Sequence, residues 1–100
     1  MQISETPEGF AIAGDINRAD LPALFAALTA GLLDLEAADI VAGATMAGLT
    51  AFIRRRLLVE GRPVVIRGAP QLLAHNLYRV GCLNHPQLTL IETRSEEAYG

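Results

Sequence analysis

The chain has 100 residues, a formal net charge of −3 and a hydrophobic fraction of 51%. This size and composition predict one domain with its own apolar core, while the acidic balance argues against binding nucleic acid, which requires many phosphates to be neutralised. The single cysteine, Cys82, excludes an internal disulfide and suits a reducing compartment. The sequence also contains no apolar run of the ~20 residues needed to span a membrane. We therefore expect a cytoplasmic protein that does not insert into a membrane.

Two short strands are predicted at the beginning of the chain. Residues 2–5 form a weak strand, and Pro7-Glu8-Gly9 is a turn signal. Residues 10–13 should then pair back antiparallel as a β-hairpin. Residues 14–17 are expected to leave the sheet.

A first helix is predicted to begin at Leu21. Asp20 precedes it as a candidate N-cap, and Gly31 is suited to end it. Apolar residues recur at helical spacing and should form its buried stripe. These residues are Leu21, Leu24, Phe25 and Leu28.

The middle of the chain predicts a strand–helix–strand unit. A buried strand over residues 32–35 is followed by a turn over 39–44, a helix from Met46 to near Gly61, and a strand over 63–66. Tight connections of this kind predict a parallel, right-handed crossover with the helix N-terminus at the edge of the sheet. The buried face of the helix is predicted to carry Met46, Leu49, Ile53 and Leu57.

The last third of the chain predicts one more helix and one more strand. Pro70 should open the helix and Gly81 should end it, with Leu73, Leu77 and Val80 as its apolar stripe. Residues 87–92 alternate as a final strand, and residues 95–98 suggest a single helical turn. The whole order predicts an α/β fold, in which helices pack on a mixed sheet of four to five strands, as one domain over residues 1–100.

Five segments together point to a family. They are Gly14-Asp15-Ile16-Asn17, Leu33-Asp34-Leu35, Asp39-Ile40-Val41, Gly61-Arg62 before an apolar strand, and Val80-Gly81-Cys82-Leu83 at the end of the third helix. In order and spacing, these segments resemble a STAS domain, the anti-sigma factor antagonist family. The resemblance covers roughly residues 10–98. It implies a STAS-like fold and a regulatory module that binds another protein, such as an anti-sigma or kinase-like regulator.

The family signature, Asp-Ser-Ser-Gly-Leu at the turn into the second helix, has no match here. Aligned without a gap, it falls on Ala42-Gly43-Ala44-Thr45-Met46, and Ala44 takes the position of the serine that a kinase phosphorylates. A register shifted to residues 45–49 recovers Gly-Leu but no serine, and it requires an insertion and a deletion. The resemblance therefore implies a STAS-like scaffold that has lost its phosphorylation switch.

Thr45 is the hydroxyl nearest to the lost phosphoacceptor. It is either a displaced acceptor or a simple cap for a helix that begins at Met46. Capping is the favoured interpretation, because threonine at a helix boundary needs no further explanation.

The outward face of the central helix is the predicted partner-binding surface. Small residues there would let a partner approach closely, and Leu58 is an apolar side chain of the size that interfaces use. The alternative for Leu58 is an isolated exposed leucine of the kind found on any surface. The run Arg54-Arg55-Arg56 is interpreted as a solvated helix end. The predicted surface comprises Ala47, Ala51, Arg54, Arg55 and Leu58, with Gly43 and Thr45 at its rim.

Enzymatic chemistry is not indicated. His75 and His85 have no cysteine or carboxylate at metal-ligand spacing and are expected to face solvent, and Cys82 suggests a small buried residue. We expect no catalytic residue, metal or cofactor. Three hypotheses remain: an anti-sigma factor antagonist-like interaction module, a cytoplasmic STAS-like subunit of a membrane lipid-transport ATPase complex, and a small-ligand binder or enzyme. Homodimerisation is left open.

Overall fold

A computed structural model describes residues 1–94, and in this part of the chain three helices pack on a five-stranded mixed sheet. The predicted α/β fold is confirmed at this level; the helical turn predicted over residues 95–98 lies outside the described residues. The strands are β1 (Gln2–Thr6), β2 (Gly9–Asp15), β3 (Leu32–Asp39), β4 (Val64–Arg67) and β5 (Leu88–Ile91). The helices are α1 (Leu21–Thr29), α2 (Gly43–Leu58) and α3 (Gln71–Arg79), and a short 3-10 turn, Arg18–Asp20, precedes α1.

The strands lie in the sheet in the same order as in the chain, β1-β2-β3-β4-β5. The first two pair antiparallel as the predicted hairpin, and every later pair is parallel. Each parallel connection contains one helix, and α2 contacts both α1 and α3. The three helices therefore form a single layer beside the sheet.

The core lies between the helix layer and the sheet. From the strands, Ile12, Leu33, Leu35 and Ile66 are almost completely buried. They meet the apolar face of α2, on which all four predicted residues are at most 2% exposed: Met46, Leu49, Ile53 and Leu57. Each buried aliphatic side chain of this size contributes about 1.5–3 kcal/mol to folding. The period of the apolar residues thus predicted this face correctly.

Helix α1 packs against α2 partly through aromatic rings. Leu24 and Leu28 are buried as predicted, and the ring of Phe25 stacks on that of Phe52 with centroids 4.0 Å apart. Asp20 is the N-cap residue of a helix that begins at Leu21, as predicted, but its side chain makes no capping hydrogen bond to α1 among the described residues. Its carboxylate instead accepts a hydrogen bond of 2.8 Å from the backbone N–H of Asn17 and closes the 3-10 turn.

Two strands are longer than the sequence pattern indicated. β2 continues through Asp15 and does not leave the sheet at residue 14, and β3 has eight residues where four were predicted. The extension forms because residues 13–15 pair with residues 37–39, beyond a register shift that lies between Ala11 and Ala13. The segment 36–39 has no alternating apolar pattern, so its pairing with β2 could not be inferred from periodicity.

Helix α3 ends one residue before Val80. Leu73 and Leu77 are fully buried as predicted, but Val80 lies at the C-cap and is 38% exposed, so its assignment to the buried stripe is wrong. Gly81, with φ of 79°, ends the helix as expected. Cys82, directly after it, is fully buried, which confirms its interpretation as a core residue.

Candidate functional site

No side chain within residues 1–94 caps the amino end of α2. The helix begins at Gly43, three residues before the predicted Met46, and Ala42 is the N-cap in an extended conformation. Ala42, Gly43 and Ala44 are all exposed to solvent. Ala44, which aligns with the phosphoacceptor serine of STAS domains, therefore presents only a methyl group.

Thr45 does not cap α2, so that interpretation is wrong. Because the helix starts earlier, Thr45 is its third residue, and its side chain is fully buried. Its Oγ1 has no hydrogen-bond partner among the described residues. In this structure the hydroxyl is therefore closed to a kinase, and Thr45 does not contribute to the predicted rim of the docking surface.

An open groove with a volume of about 910 Å³ runs between α2 and α3. Four of the five predicted face residues line it from α2: Ala47, Ala51, Arg54 and Arg55. The fifth, Leu58, is 49% exposed but lies outside the groove, and Val59 lines it instead. Gly43 is exposed at the other end of α2 and does not line the groove.

The wall formed by α3 was not predicted. Asn76, Arg79 and Val80 line the groove from this side. On the helical wheel of α3, Arg79 projects away from Leu73 and Leu77, and Asn76 lies at the flank of that buried stripe. Periodicity alone does not show that this side of the helix lies beside α2.

The floor of the groove consists of small and apolar groups. Ala47 and Ala51 are one helical turn apart and both exposed, so only two methyl groups separate an incoming chain from the α2 backbone. Thr50 also lines the groove, but its hydroxyl donates a 2.8 Å hydrogen bond to the carbonyl oxygen of Met46. Val59 and Val80 add apolar surface at the ends of the two helices.

Three arginines give the groove a positive charge. Arg54, Arg55 and Arg79 line it, and none of the described residues that line it is acidic. A carboxylate oxygen of Glu60 lies 3.7 Å from Nε of Arg55, but both side chains are largely exposed, and such pairs contribute little free energy. The guanidinium groups therefore remain available to an acidic ligand.

Arg56 behaves differently from its two neighbours. The run Arg54-Arg55-Arg56 was interpreted as a solvated helix end, and for Arg56 this is wrong. The residue is only 7% exposed, and its Nε donates a 2.9 Å hydrogen bond to the carbonyl oxygen of Pro63. Arg56 is next to the buried face of α2 that contains Ile53 and Leu57, so its side chain turns inward. Its hydrogen bond links the end of α2 to the residue before β4.

Arg54 also affects the pKa of Cys82, which lies just beyond the end of α3. Burial raises the pKa of the Cys82 thiol, and the nearby Arg54 guanidinium opposes this shift of the pKa. The thiol is therefore held in its neutral form, which is the opposite of what a nucleophilic cysteine requires.

The described residues offer neither a cluster of metal ligands nor a membrane-spanning helix. Residues 1–94 contain no group of three or more His, Cys, Asp or Glu side chains that could hold a metal ion. His75 is exposed as expected, whereas His85 is half-buried and its Nδ1 accepts a 3.1 Å hydrogen bond from the N–H of Gln87, so the solvent-facing prediction fails for His85. Within the same residues, no helix has the length and apolar character to cross a bilayer.

The carboxyl ends of β3 and β4, where ligands commonly bind in α/β proteins, are bridged by a side chain. Arg94 donates from Nε to the carbonyl oxygen of Gly68 at 3.0 Å and from Nη2 to that of Ala38 at 2.8 Å. This arrangement leaves the α2–α3 groove as the better candidate site.

A scan against protein-family models finds none that matches the sequence, and a search of curated proteins finds no match either.

Proposed function

We propose that this chain is a non-enzymatic protein-interaction module, similar to an anti-sigma factor antagonist, that binds its partner in the α2–α3 groove. The observation that carries the proposal is the groove itself, which α2 lines with Ala47, Ala51, Arg54 and Arg55. The STAS-like order of sequence segments supports the same class of function.

The groove has the surface properties of a docking site. Its floor is made of small residues, and exposed valines lie at its end: Val59 is 74% exposed and Val80 is 38% exposed. Exposed apolar groups bordered by charged residues are typical of interfaces, because burying them on binding is favourable.

The proposed module lacks the family's phosphorylation switch. A phosphate at the start of α2 would add about two negative charges there. Ala44 offers no acceptor, and the Thr45 hydroxyl is buried. Partner binding should therefore not depend on a kinase acting at this helix end.

Affinity capture with matched variants tests the proposal. Ala47→Gln with Ala51→Gln fills the groove floor without changing charge, and Ala23→Gln with Ala26→Gln makes the same change at exposed positions of α1. We expect the wild-type chain and the α1 control to retain the same partner and the groove variant to lose it about tenfold or more. Equal capture by all three proteins would contradict the proposal.

Two further readouts refine the test. Leu58→Asp should leave capture nearly unchanged, because Leu58 lies outside the groove; loss of capture by Leu58→Asp alone would move the docking face to the end of α2. Mass spectrometry of the captured protein distinguishes a kinase-like or anti-sigma regulator from an ATPase subunit of a transport complex, and sedimentation detects a second copy of this chain.

A further inference from the structure

We infer that the segment occupying the α2–α3 groove is an acidic amphipathic helix of the partner protein. The inference rests on the proposed docking function and adds the chemistry of the partner. It combines the charge of the groove with the kind of backbone that lines it.

The charge of the groove is opposite to that of the chain. The whole protein carries a net charge of −3, yet three of its eight basic side chains, Arg54, Arg55 and Arg79, line this groove together, and no acidic residue within residues 1–94 does. Arginine binds carboxylates through two parallel hydrogen bonds, and such pairs are stronger than those between neutral groups. A partner segment with Asp or Glu on its flanks would match this arrangement, whereas a basic segment would be repelled.

The backbone around the groove favours a helical occupant. Both walls are helices, α2 and α3, in which interior N–H and C=O groups already bond within their own helix. An extended peptide lying there would find no strand edge to satisfy its own backbone groups, whereas a helix brings those groups already paired.

The groove floor determines which face of that helix points inward. Ala47 and Ala51 allow close approach, and Thr50 presents no free hydroxyl because it bonds the Met46 carbonyl oxygen. Apolar side chains at helical spacing would therefore face the floor, with carboxylates on either side toward Arg54, Arg55 and Arg79.

The test uses a displayed library of helix-forming peptides selected on the full chain. We expect the selected sequences to be enriched in Asp and Glu beside an apolar stripe. Amide NMR shifts on adding one selected synthetic peptide should be concentrated at Ala47, Ala51 and Asn76. Circular dichroism should report a gain of helix on binding.

Matched variants then isolate the charge. Arg54→Gln with Arg79→Gln should weaken binding of that peptide about tenfold or more, while Arg18→Gln with Arg62→Gln, which changes the net charge equally at exposed positions outside the groove, should change it less than about twofold. Replacing Glu by Gln in the peptide should weaken its binding to the wild-type chain by a comparable factor. Added salt should reduce the difference in affinity between the wild-type chain and the Arg54→Gln/Arg79→Gln variant.

The outcomes separate this inference from the proposed function. Selected peptides that shift the groove amides but are neutral or basic would overturn the acidic partner and leave docking intact. Selected peptides that bind elsewhere, or no groove-dependent peptide at all, would overturn both.

Discussion

Nη2 of Arg94 donates a hydrogen bond of 2.8 Å to the carbonyl oxygen of Ala38, a residue 56 positions earlier in the chain. The same guanidinium reaches the carbonyl oxygen of Gly68 through Nε at 3.0 Å, so one side chain joins the ends of β3 and β4. The backbone N–H of Arg94 also donates a hydrogen bond to the carbonyl oxygen of Ala69 at 2.9 Å. The segment that follows β5 is thus fastened across two neighbouring strands.

Arg94→Gln should lower the free energy of unfolding by about 2 kcal/mol, because charged hydrogen bonds to two carbonyl groups are lost. Arg94→Lys should recover less than half of this, since one ammonium group replaces a planar fork. Urea denaturation followed by circular dichroism measures both values. Arg62→Gln, at an exposed position, is the control. Asp39→Asn should change the free energy of unfolding little, because the Asp39 carboxylate lies 3.8 Å from Arg94 Nη1 and is mostly exposed. Wild-type stability in Arg94→Gln would contradict the bridging role.

Thr45→Val should leave the protein as stable as the wild type or stabilise it by about 1 kcal/mol, because it removes a buried hydroxyl that has no hydrogen-bond partner in the described structure. Thr50→Val is the matched control: its hydroxyl bonds the Met46 carbonyl oxygen, so the same change should destabilise by about 0.5–1 kcal/mol. Thermal and urea unfolding of the two variants provide the comparison. A larger loss for Thr45→Val than for Thr50→Val would mean that the Thr45 hydroxyl is satisfied in solution.

Gly9→Ala should destabilise the fold by about 3 kcal/mol or more, because a Cβ at this position would clash with the backbone of Leu32, with the Leu32 nitrogen only 2.7 Å away. The first turn of the chain packs here against the start of β3, where the Leu32 N–H bonds the carbonyl oxygen of Glu8 at 2.9 Å. Gly43→Ala is the opposite case: beyond the chain neighbours and the backbone of the same helix, no described atom lies within 4 Å of the Cβ that alanine would add, and the residue is helical. It should stabilise by about 0.5–1 kcal/mol. Differential scanning calorimetry of both variants tests the contrast.

Titration of Cys82 should make stability fall at alkaline pH. Burial raises the thiol pKa above its ordinary value of 9.0, so the unfolded chain releases this proton at a lower pH than the folded one does. The free energy of unfolding should therefore keep its full Cys82 contribution below about pH 9 and lose it as the pH rises toward the pKa of the folded state. Urea titrations at several pH values measure this slope.

Two variants identify the source of that slope. Cys82→Ala should remove the Cys82 contribution, even though the variant is less stable overall because a buried group is lost. Arg54→Gln should raise the folded-state pKa of Cys82 further, since it removes the charge that opposes the effect of burial. An unchanged pH profile in Cys82→Ala would assign the slope to another group.

The sequence predicted the parts of the fold that depend on local periodicity. The buried face of α2, the β-hairpin and the termination of α3 just before Gly81 all follow from residue spacing and turn chemistry. The early start of α2 was missed because Ala42, Gly43 and Ala44 carry none of the polar side chains that usually mark a helix N-terminus. The inward turn of Arg56 was missed because its acceptor, the Pro63 carbonyl oxygen, belongs to a different segment.

Only the α2 side of the candidate site could be predicted from the sequence. The α2 wall could be projected from helical spacing, and four of the five predicted face residues line the groove. The α3 wall depends on which helices become neighbours, and this is decided by the parallel pairing of β3, β4 and β5. Arg94 carries no local pattern that would link it to Ala38, because the link exists only after the sheet has formed.

The strand order has a consequence for how the protein is made. Because each new strand adds beside the one before it, a chain leaving the ribosome can close each β–α–β unit on structure that already exists, without waiting for a distant segment. Among the described strands β5 is the last to be added, and until it pairs, β4 presents an open edge to other chains. Truncation before residue 88 should therefore yield a folded but self-associating fragment.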